Sequence, residues 1–302
     1  MTNALRPRRS ALFLPASNAR AIEKARALPC DVVILDLEDA VAPAQKEAAR
    51  AAAVAAIRDG GFGARELAVR ANALDTPWGG DDLMALGEAA PDAVVLPKLE
   101  DAATLSRARA ALGDRPALWA MIETCAGVLA LPAIVAAAAD HGLAALIAGT
   151  NDLARELRCR AGPDRTPLLP ALGQIVLAAR AAGLVALDGV INTLDDQAAI
   201  AAECAQARAY GFDGKTLIHP AQIAAANDAF GPADAEVAAA RTLTAAFDGR
   251  EDEGAIRVDG RMVERLHLEE ARRVLALAEA IAARDRPPLS HPNGRDDTYF
   301  RQ

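Results

Sequence analysis

The sequence predicts an α/β protein built as a (β/α)8 TIM barrel with a C-terminal helical lid segment. Three observations carry this expectation. Short aliphatic runs alternate with alanine-rich stretches of helical spacing down most of the 302 residues, the pattern of parallel βα units. Eight such runs are present, the strand number at which a parallel barrel closes. Polar and charged residues collect where the runs finish, and barrel enzymes assemble their sites at the carboxyl ends of their strands. An open doubly wound sheet gathers polar groups at the same edge and is the competing architecture.

The elements follow in order. The first run, 11–15, comes after Arg6, Arg8 and Arg9 and briefly imitates a secretory signal. Its apolar stretch is too short for one, and Asn18, Arg20, Glu23 and Lys24 follow at once. The other runs are 32–37, 67–71, 93–97, 118–123, 144–148, 185–190 and 216–219. They lack strict polar alternation, as expected of strands buried on both faces beneath a jacket of helices. Their polar ends are Asp36, Glu38 and Asp39; Arg70 and Asn72; Lys98; Glu123; Asn151 and Asp152; Asp188; and His219. After about residue 230 the pattern changes. Residues 233–247 read as a helix, 248–259 as a charged, glycine-punctuated connection, and 262–283 as a second amphipathic helix. The expected division is a catalytic barrel over 1–230 and a helical lid segment with its tail over 231–302. Residues 284–302, with Pro287, Pro288, Pro292 and Gly294 and no periodicity, are expected to be extended or partly disordered.

Composition excludes several classes of function. A hydrophobic fraction of 52% is ample for a core. Lysine plus arginine number 33 against 41 acidic residues, and the net charge of −8 argues against a nucleic-acid or anionic-membrane surface. Cys30, Cys125, Cys159 and Cys204 form no C-x-x-C pair, so neither a zinc site nor a disulfide framework is expected, and a cytoplasmic setting is the simplest. The longest weakly polar stretch, 126–139, contains Pro132 and is too short to span a bilayer.

The strand ends carry the chemistry. Glu123 and Asp152 stand at adjacent strand ends, where two carboxylates can hold a hard divalent cation and leave positions for water and substrate; rim salt bridges are the alternative. No His or Cys accompanies them, which argues for a magnesium-like ion over zinc. Asp36, Glu38 and Asp39 crowd three acids behind an apolar strand, an arrangement that needs a cation or arginines, and Arg70 and Arg9 are the natural partners. Asp39 has a second possible use, capping a helix that begins near Pro43. Arg70 can bind a carboxylate or a developing enolate through paired N–H donors, or form a salt bridge with Asp36 or Glu38. Arg20 and Lys24 share one helix face, spaced to meet phosphates, yet such a pair is common on any solvated helix. His219 reads as a loop anchor or a catalyst.

The motifs together resemble the citrate lyase beta-subunit-like (HpcH/HpaI aldolase) family of coenzyme A ester lyases, which includes malyl-CoA and citramalyl-CoA lyases. They are Arg9-Ser10-Ala11-Leu12-Phe13-Leu14-Pro15, Asp36-Leu37-Glu38-Asp39-Ala40-Val41, Val69-Arg70-Ala71-Asn72, Leu96-Pro97-Lys98, Ile122-Glu123-Thr124, Gly149-Thr150-Asn151-Asp152-Leu153, and Gly211-Phe212-Asp213-Gly214-Lys215 running into Ile218-His219-Pro220. The strings are short singly, but their order and spacing across most of the chain make a specific fingerprint.

The resemblance implies a (β/α)8 barrel assembled as a homotrimer or hexamer. It places Mg2+, with Mn2+ as a substitute, on Glu123 and Asp152, and sets Arg70 before the reacting carbonyl. Glu38 and Asp39 would support the metal's waters and share the catalytic assignment. Phe13, Arg20 and Lys24 would contact the coenzyme A nucleotide end, with Thr150 and His219 also assigned to substrate and coenzyme A. The C-terminal segment of this family closes over a neighbouring subunit's site and supplies an acid from a G-x-M-[IV]-D motif. Here the motif reads Gly260-Arg261-Met262-Val263-Glu264, with glutamate in place of aspartate. A misplacement of roughly 1 Å can cost about 10²-fold in rate, so this departure bears on the reaction.

The activity implied is cleavage or formation of a carbon–carbon bond in a malyl-, citramalyl- or citryl-CoA-like 3-hydroxyacyl thioester, giving a 2-keto acid and an acyl-CoA. The alternatives are an acyl-CoA thioesterase, a citrate lyase subunit acting on an acyl-carrier-protein thioester, a metal-dependent pyruvate aldolase that needs no nucleotide groove, and a non-catalytic acyl-CoA-binding protein.

Overall fold

The computed structural model describes residues 6–250, 253–258 and 260–286. Its chain divides into a barrel unit, residues 8–233, and a C-terminal unit that starts at Asp234. The eight apolar runs form the strands β1 (Ser10–Pro15), β2 (Val32–Asp36), β3 (Glu66–Arg70), β4 (Ala93–Leu96), β5 (Ala117–Ile122), β6 (Leu143–Ala148), β7 (Val185–Asp188) and β8 (Gly214–Leu217). They pair in sequence order into a closed barrel, all parallel. Closure is made by Ser10, Ala11 and Leu12 of β1 against Lys215, Thr216 and Leu217 of β8. The chain is thus a (β/α)8 barrel, and the open-sheet alternative is set aside.

Alternation along each strand divides the core in two. Leu12, Leu14, Val33, Leu35, Val69, Val94, Leu96, Ile122 and Leu146 face the surrounding helices. Ala11, Val32, Ile34, Ala68, Ala93, Val95, Trp119, Met121, Ala145, Ile147 and Leu187 fill the interior. The alanines leave room inside the barrel for one large ring, that of Trp119. At the amino end of the strands the Arg8 guanidinium lies 5.0 Å from the Trp119 ring centroid and pairs with Glu66 at 2.6 Å. Arg9 pairs with Asp31, its Nε 2.9 Å from Oδ2. The expectation that Arg9 offsets Asp36, Glu38 and Asp39 is therefore corrected. Arg9 precedes β1, so it belongs to the amino end of the barrel, whereas those acids follow β2.

The C-terminal unit contains the helix Asp234–Ala246, the strands β9 (Ala255–Val258) and β10 (Arg261–Glu264), and the helix Arg265–Arg284. The strands form an antiparallel hairpin. Phe247, Ile256, Val263 and Leu268 make this unit's own small core. The expected connection over 248–259 and the helix start at 262 are both corrected by that hairpin. Gly260 has φ +79°, a left-handed conformation that glycine adopts without steric cost. The expected extended tail falls, over 287–302, outside the described residues.

Gly214 shows how tightly the barrel closes. A Cβ there would lie 1.8 Å from the Arg8 carbonyl oxygen, against backbone that cannot move aside alone. Gly214→Ala should lower unfolding stability by more than about 2 kcal/mol. An unchanged denaturation midpoint would show that the β1–β8 seam is looser than this approach implies.

Candidate active site

The carboxyl ends of the strands surround a cavity of about 430 Å3. Phe13, Asp36, Asp39, Arg70, Met121, Glu123, Thr150 and Asp152 line it, with Val190, Thr216 and Ile218 on the remaining wall. These residues come together because most lie at or just past the last ladder position of their strands.

Arg70 and Asp36 are register partners at the ends of β3 and β2. The guanidinium donates to both carboxylate oxygens, Nε to Oδ1 at 2.7 Å and Nη2 to Oδ2 at 2.6 Å. Asp36 also accepts the backbone N–H groups of Glu38 and Ala40, so one carboxylate fixes both the arginine and the turn that follows β2. Arg70 stacks on Phe13, 5.0 Å from the ring centroid, and its Nη1 points toward Met121 Sδ at 3.7 Å. Burial opposes the charge on Arg70, but Asp36, Glu38 and Glu123 together outweigh it, and its pKa lies above the ordinary value. Arg70 is thus a fixed cation at the cavity wall.

Glu38 is buried, with Oε2 2.8 Å from Arg70 Nη1 and Oε1 paired with the Lys98 ammonium. Its Oε2 makes no well-aligned hydrogen bond with protein, so the contact to Arg70 is an ion pair off the N–H axis. Burial raises the Glu38 pKa above the usual value, against the opposing charges of Arg70 and Lys98. Asp39 is more open, 59% exposed at its side chain, with Oδ2 3.8 Å from Arg70 Nη1. It does not cap the next helix: the short 3-10 turn Pro43–Gln45 is preceded by Ala42, with no side-chain cap.

Glu123 follows β5 and is buried. Its Oε1 accepts the Lys98 backbone N–H at 2.8 Å, with Lys98 in the left-handed region at φ +47°. Its side chain rests on Gly149, where a Cβ would come within 2.2 Å of Glu123 Cβ. Desolvation by burial, reinforced by the Glu38 charge, raises the Glu123 pKa to about 7. Asp152 lies in the helix Thr150–Glu156 directly after β6, with its side chain 22% exposed and Oδ1 2.6 Å from Arg155 Nη2. The two carboxylates line one cavity. Among the described residues no group of three or more His, Cys, Asp or Glu side chains forms a cation site. A cation there would therefore rest on two protein carboxylates and complete its shell with water or substrate. The donor set, all oxygen and including one buried carboxylate that lacks full charge compensation, fits a hard divalent ion.

Thr150 is buried against Val190, whose carbonyl accepts its hydroxyl at 3.5 Å. His219 is exposed and does not line the cavity; its Nδ1 accepts the Ala221 N–H at 3.2 Å. The main anchor of that loop is Gln222, whose Oε1 accepts from Ile218 and His219 N–H. Arg20 and Lys24 are exposed on the helix Ala19–Ala25 and lie outside the cavity wall. Glu264 ends β10 in the C-terminal unit, where its N–H donates to His267 Nδ1 at 3.1 Å. Met121 is a site residue that the sequence does not disclose, because a methionine inside an aliphatic strand carries no signal of its own.

A closed parallel barrel with a buried arginine and acidic residues around a cavity at the carboxyl ends of its strands has the layout of a (β/α)8-barrel enzyme. Residues 9–220 match the HpcH/HpaI aldolase/citrate lyase family, and the chain belongs to it. It is 47% identical over 285 residues to a (3S)-malyl-CoA thioesterase of Cereibacter sphaeroides (strain KD131), covering 94% of this chain and 99% of that protein. To the citrate lyase subunit beta of Escherichia coli (strain K12) it is 35% identical over 292 residues, covering 93% and 96%. A crystal structure of the protein CitE from Mycobacterium tuberculosis in complex with magnesium, acetoacetate and coenzyme A superposes with a TM-score of 0.74 at 34% identity, covering 89% of this chain and 97% of that one. No described helix is long and apolar enough to cross a membrane.

The Glu123 environment has a measurable consequence in metal-free protein. An unfolded glutamate titrates near pH 4.3, roughly, so with a folded pKa of about 7 the native state holds the extra proton between those values. Its contribution to stability is full below the lower value and is lost as pH rises through the upper one. Glu123→Gln removes this dependence. The melting temperature of the variant relative to the parent should rise between about pH 5 and 7.5. A difference independent of pH would show that Glu123 is not desolvated.

Proposed function

We propose that this chain acts on the thioester of a short, carboxylated 3-hydroxyacyl-CoA of the malyl type, with hydrolysis to free thiol as its net reaction. The observation that carries the reading is that Arg70 and Glu123, opposite in charge and both buried, line one small cavity at the barrel rim. The near-full-length similarity to proteins named (3S)-malyl-CoA thioesterase supports the acyl group and the reaction.

In this reading Arg70, held rigid by Asp36, stabilises negative charge as it develops on the thioester oxygen. Glu123 and Asp152 would hold Mg2+, for which Mn2+ could substitute; bound there, the ion supplies Lewis-acid polarisation of substrate oxygens. Glu38 and Asp39 orient water and shuttle protons beside the arginine. Phe13 and Thr150 shape the wall that receives the acyl end. Arg20 and Lys24, exposed on the helix after β1, meet phosphates of coenzyme A, with His219 near the same approach. Glu264 supplies the acid–base group to a neighbouring subunit's site from a lid segment spanning 231–302, and the working form is a homotrimer or hexamer in the cytoplasm.

A second reading, carbon–carbon cleavage to a 2-keto acid and an acyl-CoA, is favoured by the citrate lyase beta relatives and by the acetoacetate and coenzyme A bound in the CitE complex. Incubation with malyl-, citramalyl- and citryl-CoA plus Mg2+, following 2-keto acid and free thiol separately, distinguishes the two. Free thiol without keto acid is expected; keto acid without thiol would replace hydrolysis by lyase activity. Arg70→Ala should reduce turnover by at least about 10²-fold while the protein stays folded, and near-parent turnover would remove Arg70 from the mechanism.

A further inference from the structure

Lys46 opens the helix Lys46–Asp59, a place where an alanine-rich helix ordinarily shows lysine to water. Here it is buried. Its ammonium donates to three acceptors at once: the Leu37 carbonyl at 2.8 Å, the Glu38 carbonyl at 2.7 Å and Asn72 Oδ1 at 2.7 Å. The pairing of β2 with β3 ends where the Leu37 N–H donates to the Arg70 carbonyl at 2.9 Å. The carbonyls of Leu37 and Glu38 lie just past that last rung, in buried residues; the Glu38 carbonyl also accepts the Val41 N–H at 2.9 Å, while the Leu37 carbonyl would be a costly buried acceptor without a side-chain donor. Lys46 supplies the donors from a side chain, and it ties these carbonyls to Asn72, two residues beyond Arg70.

Asn72 is held in its turn. Its backbone N–H and Nδ2 donate to Asp82 Oδ2 at 2.9 and 2.6 Å. Asp82, fully buried, accepts from Arg50 Nε through Oδ1 at 2.8 Å. Arg50 lies one turn after Lys46, so the network starts and ends on one helix. Neither Lys46, Asn72, Asp82 nor Arg50 lines the cavity.

We infer that Lys46 is a positioning residue, which sets the place of Glu38, and through it the ion pair of Glu38 with Arg70, without touching substrate. The inference rests on the proposed catalytic reading of Arg70 and Glu38. Lys46 in effect continues the β2–β3 pairing beyond the rim with side-chain donors, where a ladder can no longer reach.

The test uses Lys46→Met in the full chain, which keeps the apolar stem and removes the ammonium. Turnover of malyl-CoA is expected to show kcat lowered by about 10²-fold with KM changed by less than about threefold. Because Lys46 acts through Glu38, Glu38→Gln combined with Lys46→Met should be no slower than Glu38→Gln alone, whereas a general structural role would multiply the two losses. Amide hydrogen exchange in residues 37–41 should speed up by about tenfold or more, with residues 149–153 unchanged. Asn72→Ala breaks the same bridge from the other side, and it decides the matter by the same two measurements if Lys46→Met does not fold. Multiplicative kinetic losses, or unchanged exchange at 37–41, overturn the assignment. If the parent protein turns over no thioester of the panel, the functional reading fails by itself, and the exchange measurement alone supports or overturns the role of Lys46.

Discussion

The rim of this barrel depends on one buried ion pair, Asp36 with Arg70. Two opposite charges withdrawn from water are tolerated only when geometry and extra hydrogen bonds compensate the lost hydration. Both conditions hold here. The partners are directly in register on neighbouring strands, the contact is two-pronged, and the carboxylate takes two further backbone N–H groups. The consequence is geometric as much as energetic. The turn carrying Glu38 and Asp39 is wound around the same carboxylate that orients Arg70, so the acids and the guanidinium cannot move independently. Phe13 from β1 and Met121 from β5 pack against that guanidinium, which joins four strands at one planar cation.

The rest of the site has the opposite character. Asp36 is matched, but Glu38, Asp39, Glu123 and Asp152 also share the rim, where Arg70 and Lys98 are the cations that act on the first three. Glu123 is the carboxylate whose pKa burial, and after it the Glu38 charge, raises to about 7. Two local features hold it in this unfavourable place: a non-glycine residue, Lys98, in the left-handed region, and a glycine that leaves the carboxylate room. Strain and unmatched charge are what a folded chain keeps where a ligand is to be bound. A structural ion network in the same barrel looks different. Lys215, fully buried, has Asp188, Glu203 and the Gly189 carbonyl around its ammonium, and Arg165 completes the balance at Asp188.

Seven of the eight strands are legible in the sequence because strands covered on both faces are written as apolar runs; β8, Gly-Lys-Thr-Leu, is polar at two of its four positions, and the expected run 216–219 starts two residues late. Arg70, Glu123 and Asp152 are legible as polar residues where such runs finish. The place of Arg9 is not, because a charge just before a strand and one just after it look alike in a string yet sit at opposite ends of the barrel. The 255–264 hairpin is hidden by its shortness; Asp259-Gly260 between Ala-Ile-Arg-Val and Arg-Met-Val-Glu is the available signal. Lys46 gives no signal at all. A lysine at the start of an alanine-rich helix reads as solvated, and its burial is decided by other chain segments, here Leu37 and Asn72.

Hydrolysis and carbon–carbon cleavage make the same first demand on this cavity, because each builds negative charge on the thioester oxygen, and in the proposed reading Arg70 and the carboxylate-held ion answer it for both. They differ in what creates that charge: in hydrolysis water adds to the carbonyl carbon, and in cleavage a base takes the hydroxyl proton as the carbon–carbon bond breaks. The apolar lining, Phe13, Met121, Val190 and Ile218, does not distinguish these. In the proposed reading the choice falls to the acids, Glu38 and Asp39 beside the arginine and Glu264 in the C-terminal unit. Glutamate in place of aspartate at 264 moves a carboxylate outward by one methylene, a displacement on the order of the 1 Å or so that can cost about 10²-fold in rate. In that reading the reaction outcome turns on those acids, while Arg70 supplies charge stabilisation that both reactions need.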